Sequence, residues 1–252
     1  MARRGVAALA DEFEAVDLTG TDPVTADYNV APTKPVPIIV CRRRSGDTEG
    51  PVFRQLRVAR WGLVPSWAAR PGGGSVRGGR LLINARAESV ARTPAFRAAL
   101  VRRRCLVPAD GWYEWVRAES GPGRQPFYLT HTDGELLAFA GLYELWGDAR
   151  LMTTAIVTTA ATGELARIHD RMPLLLPRRA WAGWLDPARP DPSDLLVPDP
   201  APLDRIELRP VGSAVGNVAN NGPGLIAAVP PPAAEPVPAP VPEPMPAPQT
   251  LF

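Results

Sequence analysis

Two cysteines, two histidines and a single lysine leave this sequence of 252 residues little room for several common chemistries. Cys41 and Cys105 lie far apart, form no CxxC pair and sit in no Cys/His cluster. That excludes a disulfide scaffold and a structural zinc site, and it points to a reduced, cytoplasmic protein without a metal or cofactor. No apolar run is long enough to span a bilayer. The N-terminal stretch reaches Asp11 and Glu12 before an apolar core can form, so a secretory signal is not expected. Walker loop, dinucleotide-binding glycine motif, HExxH and GxSxG elbow are all missing.

What is present instead is arginine. Lys34 is the lone lysine, and arginines cluster at Arg42-Arg43-Arg44 and Arg102-Arg103-Arg104. Such clusters bind phosphates bidentately or simply solvate a surface, and a formal net charge of +2 does not choose between these.

Along the chain, helical spacing covers Gly5 to Val16, a proline-bearing loop covers Tyr28 to Thr33, and Val36 to Cys41 and Arg57 to Leu63 read as strands. Leu81 to Asn84 returns to strand, Thr93-Pro94 opens a helix to about Arg103, and one central strand runs from Cys105 to Trp115. Phe127 to His131, Leu136 to Trp146 and Leu151 to Thr159 follow as strands across hairpin signals. Helices are expected over Gly163–Ile168 and Arg178–Leu185, and Ile206–Pro210 is extended. Strands outnumber helices without βαβ alternation, which predicts an α+β fold with a curved, mainly antiparallel sheet and flanking helices. From Val229 the composition changes: ten of the 31 prolines fall between Pro230 and Pro248. Residues 1–228 are therefore expected to form the domain and residues 229–252 a disordered, extended tail.

Three stretches carry chemistry. In Trp112-Tyr113-Glu114-Trp115 a carboxylate stands among three aromatic rings. Desolvation there would raise its pKa toward the range useful for general acid/base catalysis; the alternative is a solvated or ion-paired strand residue. Asn84-Ala85-Arg86-Ala87-Glu88 offers an amide and a guanidinium at a strand end, and His169 sits in Ile168-His169-Asp170-Arg171-Met172-Pro173. A lone histidine is more often packed than catalytic. Cys105 beside three arginines is either an activated thiolate or, at a strand entrance, a packed core residue.

Together with Tyr28-Asn29-Val30-Ala31-Pro32-Thr33, Trp61-Gly62-Leu63-Val64-Pro65 and Val215-Gly216-Asn217-Val218, these stretches occur in an order that closely resembles the SOS response-associated peptidase (SRAP) family of abasic-site processing proteins. The resemblance covers residues 5 to 228. It implies a positively charged groove for single-stranded DNA carrying an abasic site, acted on by a monomer. In the family, a cysteine at position 2, freed by removal of the initiator methionine, condenses through its α-amine with the sugar aldehyde. Its thiol then closes a thiazolidine, a durable DNA–protein cross-link. By resemblance, Glu114 is the acid/base for ring opening, His169 assists Schiff-base formation, and Asn84 holds the N-terminal residue. Arg86 binds backbone phosphate, Asn29 lines the pocket and Trp67 lies near the DNA.

One departure stands out. The family begins Met-Cys-Gly-Arg and an aromatic, whereas this chain begins Met1-Ala2-Arg3-Arg4-Gly5. A first strand of about five residues is therefore expected to be missing, along with the nucleophile, through a start set too far downstream. The alternative is a non-covalent binder of abasic or single-stranded DNA. A general peptidase finds no Ser/His/Asp or Cys/His pair to support it. Finally, the tail ends Gln249-Thr250-Leu251-Phe252, which resembles the short peptides that dock DNA-processing proteins on the replication sliding clamp. The alternative is a chance apolar ending.

Overall fold

In the computed structural model, described at residues 2–21, 24–43, 50–68, 81–117, 123–147 and 151–230, strands carry most of the architecture. Helix α1 (Val6–Phe13) leads to β1 (Val16–Asp17), β2 (Pro35–Arg42), β3 (Phe53–Trp61), β4 (Asn84–Arg86), α2 (Arg97–Arg102), β5 (Arg104–Ala109) and β6 (Trp112–Arg117). Then come β7 (Arg124–His131), β8 (Leu137–Trp146), β9 (Leu151–Ala160), β10 (Arg171–Pro173), α3 (Arg178–Leu185), α4 (Pro200–Leu203) and β11 (Ile206–Pro210).

Antiparallel ladders join β3 to β2, β2 to β5, β5 to β8 and β8 to β9. Because Arg60 and Trp61 of β3 also pair in parallel with Thr153 and Thr154 of β9, this path returns on itself and the sheet closes. The expected curvature thus brings β3 onto β9, and the ring is closed by those two residue pairs. A second sheet, in the order β11-β7-β6, stands beside it.

Alternation along the strands sorts the core into two sides. On one, Ile39, Leu56, Leu106, Leu142 and Val157 pack against Leu9 and Phe13 of α1 and Trp181 and Trp184 of α3. On the other, Val36, Ile38, Val40, Val107, Phe139 and Met172 meet Trp112 and Leu129 of the second sheet. Phe13 stacks on Trp181 with ring centroids 4.5 Å apart.

Several expectations need correction. The strand read from Cys105 to Trp115 is two strands in two sheets, with the corner at Asp110-Gly111. The corner has a physical cause: a Cβ on Gly111 would lie 2.3 Å from the Leu129 carbonyl oxygen and 2.5 Å from the Tyr128 ring. Only glycine allows that approach. The helix expected from Thr93 begins at Arg97, because the Thr93 hydroxyl donates to the Ser89 carbonyl and closes a turn instead of capping. The strand expected over Leu81 to Asn84 starts where it was expected to end, at Asn84. Before α1, Ala2 makes an antiparallel bridge with Asp27.

Candidate functional site

One end of the closed sheet opens into a cavity of about 370 Å³. Val36, Trp61, Val107, Phe139 and Ile156 form its apolar wall, Asn29, Asn84, Glu114, His169 and Arg171 bring polar groups to it, and Ala2 also lines it.

Each of those groups arrives on a different element, and the links between them are specific. β9 is flanked at the same point by β4 and β10, since Thr158 pairs with both Arg86 and Pro173. That places Asn84 and the His169 loop on either side of one strand. The two sides are clasped by Arg171, whose guanidinium donates to both Glu88 carboxylate oxygens at 2.8 and 3.0 Å and to the Thr158 carbonyl at 2.7 Å. Arg171 in turn holds the Glu88 carboxyl below its ordinary range, chiefly through those hydrogen bonds. Asn29 fastens a second pair of loops: its amide donates to the Val215 and Asn217 carbonyls, both at 3.0 Å. Lys34 donates to the Asn29 carbonyl at 3.0 Å and to Asp27 at 2.7 Å. Asp110 is buried at the strand corner, where it accepts the Arg3 N–H at 2.6 Å and pairs with the Arg3 and Arg4 guanidiniums at 3.1 and 3.7 Å. The start of the described chain is therefore tied to the Asp-Gly corner that precedes Glu114.

Glu114 has the electrostatics expected of a carboxylate among aromatic rings. Burial pushes its carboxyl above the ordinary range. The charge of His169 and the nearby Trp112 indole N–H, which is buried without a hydrogen-bond partner among the described residues, oppose that rise, and the charge of Asp170 adds to it. His169 is fixed through Nδ1, which accepts the Arg171 backbone N–H at 2.9 Å and lies 3.1 Å from Asp170 Oδ1. Nε2 has no protein partner among the described residues and remains available to the cavity.

The other expected residues divide. Asn84 and Asn29 line the cavity, although both amide hydrogens used by Asn29 go to the Val215–Asn217 loop. Arg86 is exposed on β4 outside the lining, and Trp67 is 72% exposed in the turn Ser66–Ala68, also outside it. Gln249, Leu251 and Phe252 lie outside the described residues. Cys105 is packed: burial pushes its thiol up to about 12 and its Sγ sits 3.5 Å from the Thr154 hydroxyl, so an activated thiolate is ruled out. Among the described residues, no group of three His, Cys, Asp or Glu side chains is placed to hold a metal. Nor is any helix there long and apolar enough to cross a membrane. Sequence reasoning missed Arg171 as a site residue. Its signal was available in the pairing of an acid ending one motif with a base inside another.

Residues 2–218 match the family described as SOS response associated peptidase (SRAP). The chain belongs to that family. Among its relatives, the abasic site processing protein YoqW of Bacillus subtilis is 37% identical over 203 residues, covering 79% of this chain and 84% of that protein. The abasic site processing protein YedK of Escherichia coli is 32% identical over 230 residues, covering 89% and 94%. The vertebrate abasic site processing protein HMCES of Xenopus tropicalis is 29% identical over 232 residues, covering 83% and 68%. A crystal structure from Bacteroides thetaiotaomicron superposes with a TM-score of 0.73 at 22% identity, over 91% of this chain and 97% of that one, and shares the fold. One from Bordetella bronchiseptica superposes with a TM-score of 0.67 at 26% identity, over 84% and 97%. The matches bear out the family resemblance and the sheet-dominated α+β fold.

Proposed function

We propose that this SRAP-family chain processes abasic sites in single-stranded DNA, with the ring-opened sugar entering the cavity. The observation that carries the reading is the Glu114 carboxyl, raised by burial, sharing one cavity with His169, Asn84 and Ala2. Imine chemistry at an aldehyde needs a group that both gives and takes a proton near neutrality, held beside the attacking amine. In this reading Glu114 opens the sugar and moves protons in the addition steps. His169, anchored at Nδ1, assists at Nε2 in forming and reversing the Schiff base. Asn84 positions the residue at the head of the chain. Arg86 and Trp67, exposed outside the cavity, contact the strand on either side, by phosphate pairing and base stacking. Asn29 shapes the pocket through its loop clasp.

The covalent form of the reaction is a thiazolidine. The α-amine adds to the aldehyde and loses water to give an imine, and the thiol of the same residue adds across that imine. Both functions must sit on one terminal residue. Ala2 lines the cavity in this sequence; its nitrogen is a peptide N–H while Met1 is attached, and removal of Met1 makes it an α-amine that carries no thiol. Once Met1 is removed, therefore, the chain forms a reversible imine with abasic DNA, and a cysteine at the Ala2 place, likewise freed of Met1, converts that imine into a stable cross-link. The test is denaturing electrophoresis of the chain and of its Ala2→Cys variant after incubation with abasic single-stranded DNA. The variant is expected to give a heat-stable adduct, and the chain as written an adduct only when borohydride is present. A heat-stable adduct from the Ala2 chain without reductant would sink the assignment. The Gln249–Phe252 ending is proposed to tether the domain to a sliding clamp; loss of binding to a clamp by a Pro236–Phe252 peptide carrying Leu251→Ala and Phe252→Ala tests it.

A further inference from the structure

At the end of the closed sheet away from the cavity lies a second opening, about 380 Å³ in volume, lined by Arg42, Arg43, Arg102, Arg103, Tyr143 and Leu145 among others. β2 connects the two ends. Its first residues, Val36 and Pro37, line the cavity, and its last, Cys41 and Arg42, line the second opening. Six residues of extended chain put about 20 Å between them at roughly 3.3 Å per residue. Arg42 and Arg43 from the end of β2 and Arg102 and Arg103 from the end of α2, remote in sequence, thus meet here.

The charge in this opening is only partly balanced. Arg103 pairs with the buried Glu144 carboxylate at 2.6 Å, yet its Nε is buried with no hydrogen-bond partner. Arg43 Nε donates to the Gly50 carbonyl at 2.8 Å, a neutral acceptor. Arg42 and Arg102 make no ion pair among the described residues. Nearby, Arg57 has its pKa lowered by burial first and then by repulsion from Arg42, so like charges crowd each other here. Holding several guanidiniums together at one mouth costs free energy that a bound anion returns. Arg104, next in the cluster, is turned away: it donates to the carbonyls of Leu100, Val101, Trp184, Asp186 and Arg189, ending α2 and α3. The cluster is divided: Arg104 is structural, Arg103 is tied to Glu144 at the mouth, and Arg102 is exposed.

We infer that this arginine-lined mouth is a second phosphate site, distinct from the reactive cavity, and that it takes the backbone of the same nucleic-acid strand beyond the abasic position. The lining has no amide or carboxylate exposed to read a base edge, and its aromatic residue, Tyr143, is buried in the sheet interior. Contact is therefore to phosphate and independent of sequence. The strand as phosphate source rests on the proposed DNA function; the phosphate site itself does not.

The experiment compares the full chain with its Arg42→Gln, Arg102→Gln double variant, which leaves the Arg103–Glu144 pair intact. Three probes are used: a single-stranded 30-mer, a 5-mer with a central abasic site, and inorganic tripolyphosphate. About 20 Å is close to six stacked nucleotides at 3.4 Å each, so a 5-mer in the cavity falls short of the mouth. Expected is roughly tenfold weaker 30-mer binding at 0.1 M salt, with a log–log salt slope shallower by about 1.4, unchanged 5-mer binding, and loss of the thermal stabilisation that tripolyphosphate gives the parent. If only the tripolyphosphate effect is lost, the phosphate site stands and a free polyphosphate is its source. If the parent binds neither oligonucleotide, the DNA reading has failed and tripolyphosphate alone decides. A double variant that matches the parent with every probe overturns the site.

Discussion

The two ends of the closed sheet are built from the same strands, and each holds a glutamate, but the two are treated in opposite ways. Glu114 sits at the cavity end among aromatic rings with no ion pair among the described residues, and its carboxyl is pushed up by burial. Glu144 sits at the other end, 3% exposed, and is met at 2.6 Å by Arg103. A carboxyl buried without a fixed cation is held above its ordinary range; one given a cation spends its charge on structure. The contrast teaches that the chemistry of each end is set by what the strand ends deliver, aromatics at one and arginines at the other, on a common scaffold.

The sharpest way to break this comparison is to exchange a single oxygen for nitrogen. In the Ala2→Cys chain, Glu114→Gln is expected to slow adduct formation by about 10²-fold or more, while binding of undamaged single-stranded DNA barely changes. Single-turnover rates on abasic DNA measure it; a full rate would make Glu114 structural. The next effect divides the second arginine cluster. Arg104→Ala strands several buried carbonyls and is expected to cost about 3 kcal/mol or more, whereas Arg102→Ala should stay within about 0.5 kcal/mol. Urea unfolding of the two variants reads the difference, and equal effects would mean that the cluster acts as one surface.

A comparable loss, about 2–4 kcal/mol, is expected from Gly111→Ala, since its Cβ would meet backbone and a packed ring. The smallest effect is in stability against pH. Glu114 has a raised folded pKa, so the folded state binds the proton more tightly than the unfolded one. Stability is then lost as pH rises from the ordinary glutamate range, near 4.3, through the folded pKa, and levels off above it. Glu114→Gln removes that loss, so the variant should gain on the parent across this window and hold its lead at higher pH. Parallel denaturant midpoints from pH 4 to pH 8 test the sign; a lead that shrinks with pH would reverse it.

Much of this was readable in the sequence because local signals agreed. β2, β7, β8, β9, α3 and β11 fall where alternation and helical spacing put them, and the aromatic neighbours of Glu114 foretold the direction in which burial moves its carboxyl. The misses share a cause, which is dependence on distant chain. The Asp110-Gly111 corner is forced by Tyr128 and Leu129, which a reading of residues 105–115 does not contain. β10 exists because β9 has an open side at Thr158–Ala160, and the Arg171–Glu88 clasp joins residues 83 positions apart. The closing of the sheet by β3 on β9 has no local signature at all. Arg86 and Trp67, assigned by resemblance, stand outside the cavity, where only a bound strand would bring them to the site.

The β3–β9 closure also has a consequence for when the cavity is assembled. The cavity lining runs from residue 2 to residue 218 and depends on a parallel pairing between Trp61 and Thr154. Contacts so far apart in sequence form late, after their loop-closure entropy has been overcome. During synthesis at about 5–20 residues per second, the first residues leave the ribosome ten seconds or more before Val218 does. The N-terminal residue made early in translation therefore meets Glu114 only in the finished domain. In the proposed reaction the nascent chain would be chemically silent, with ripening of the fold as the switch that arms the site.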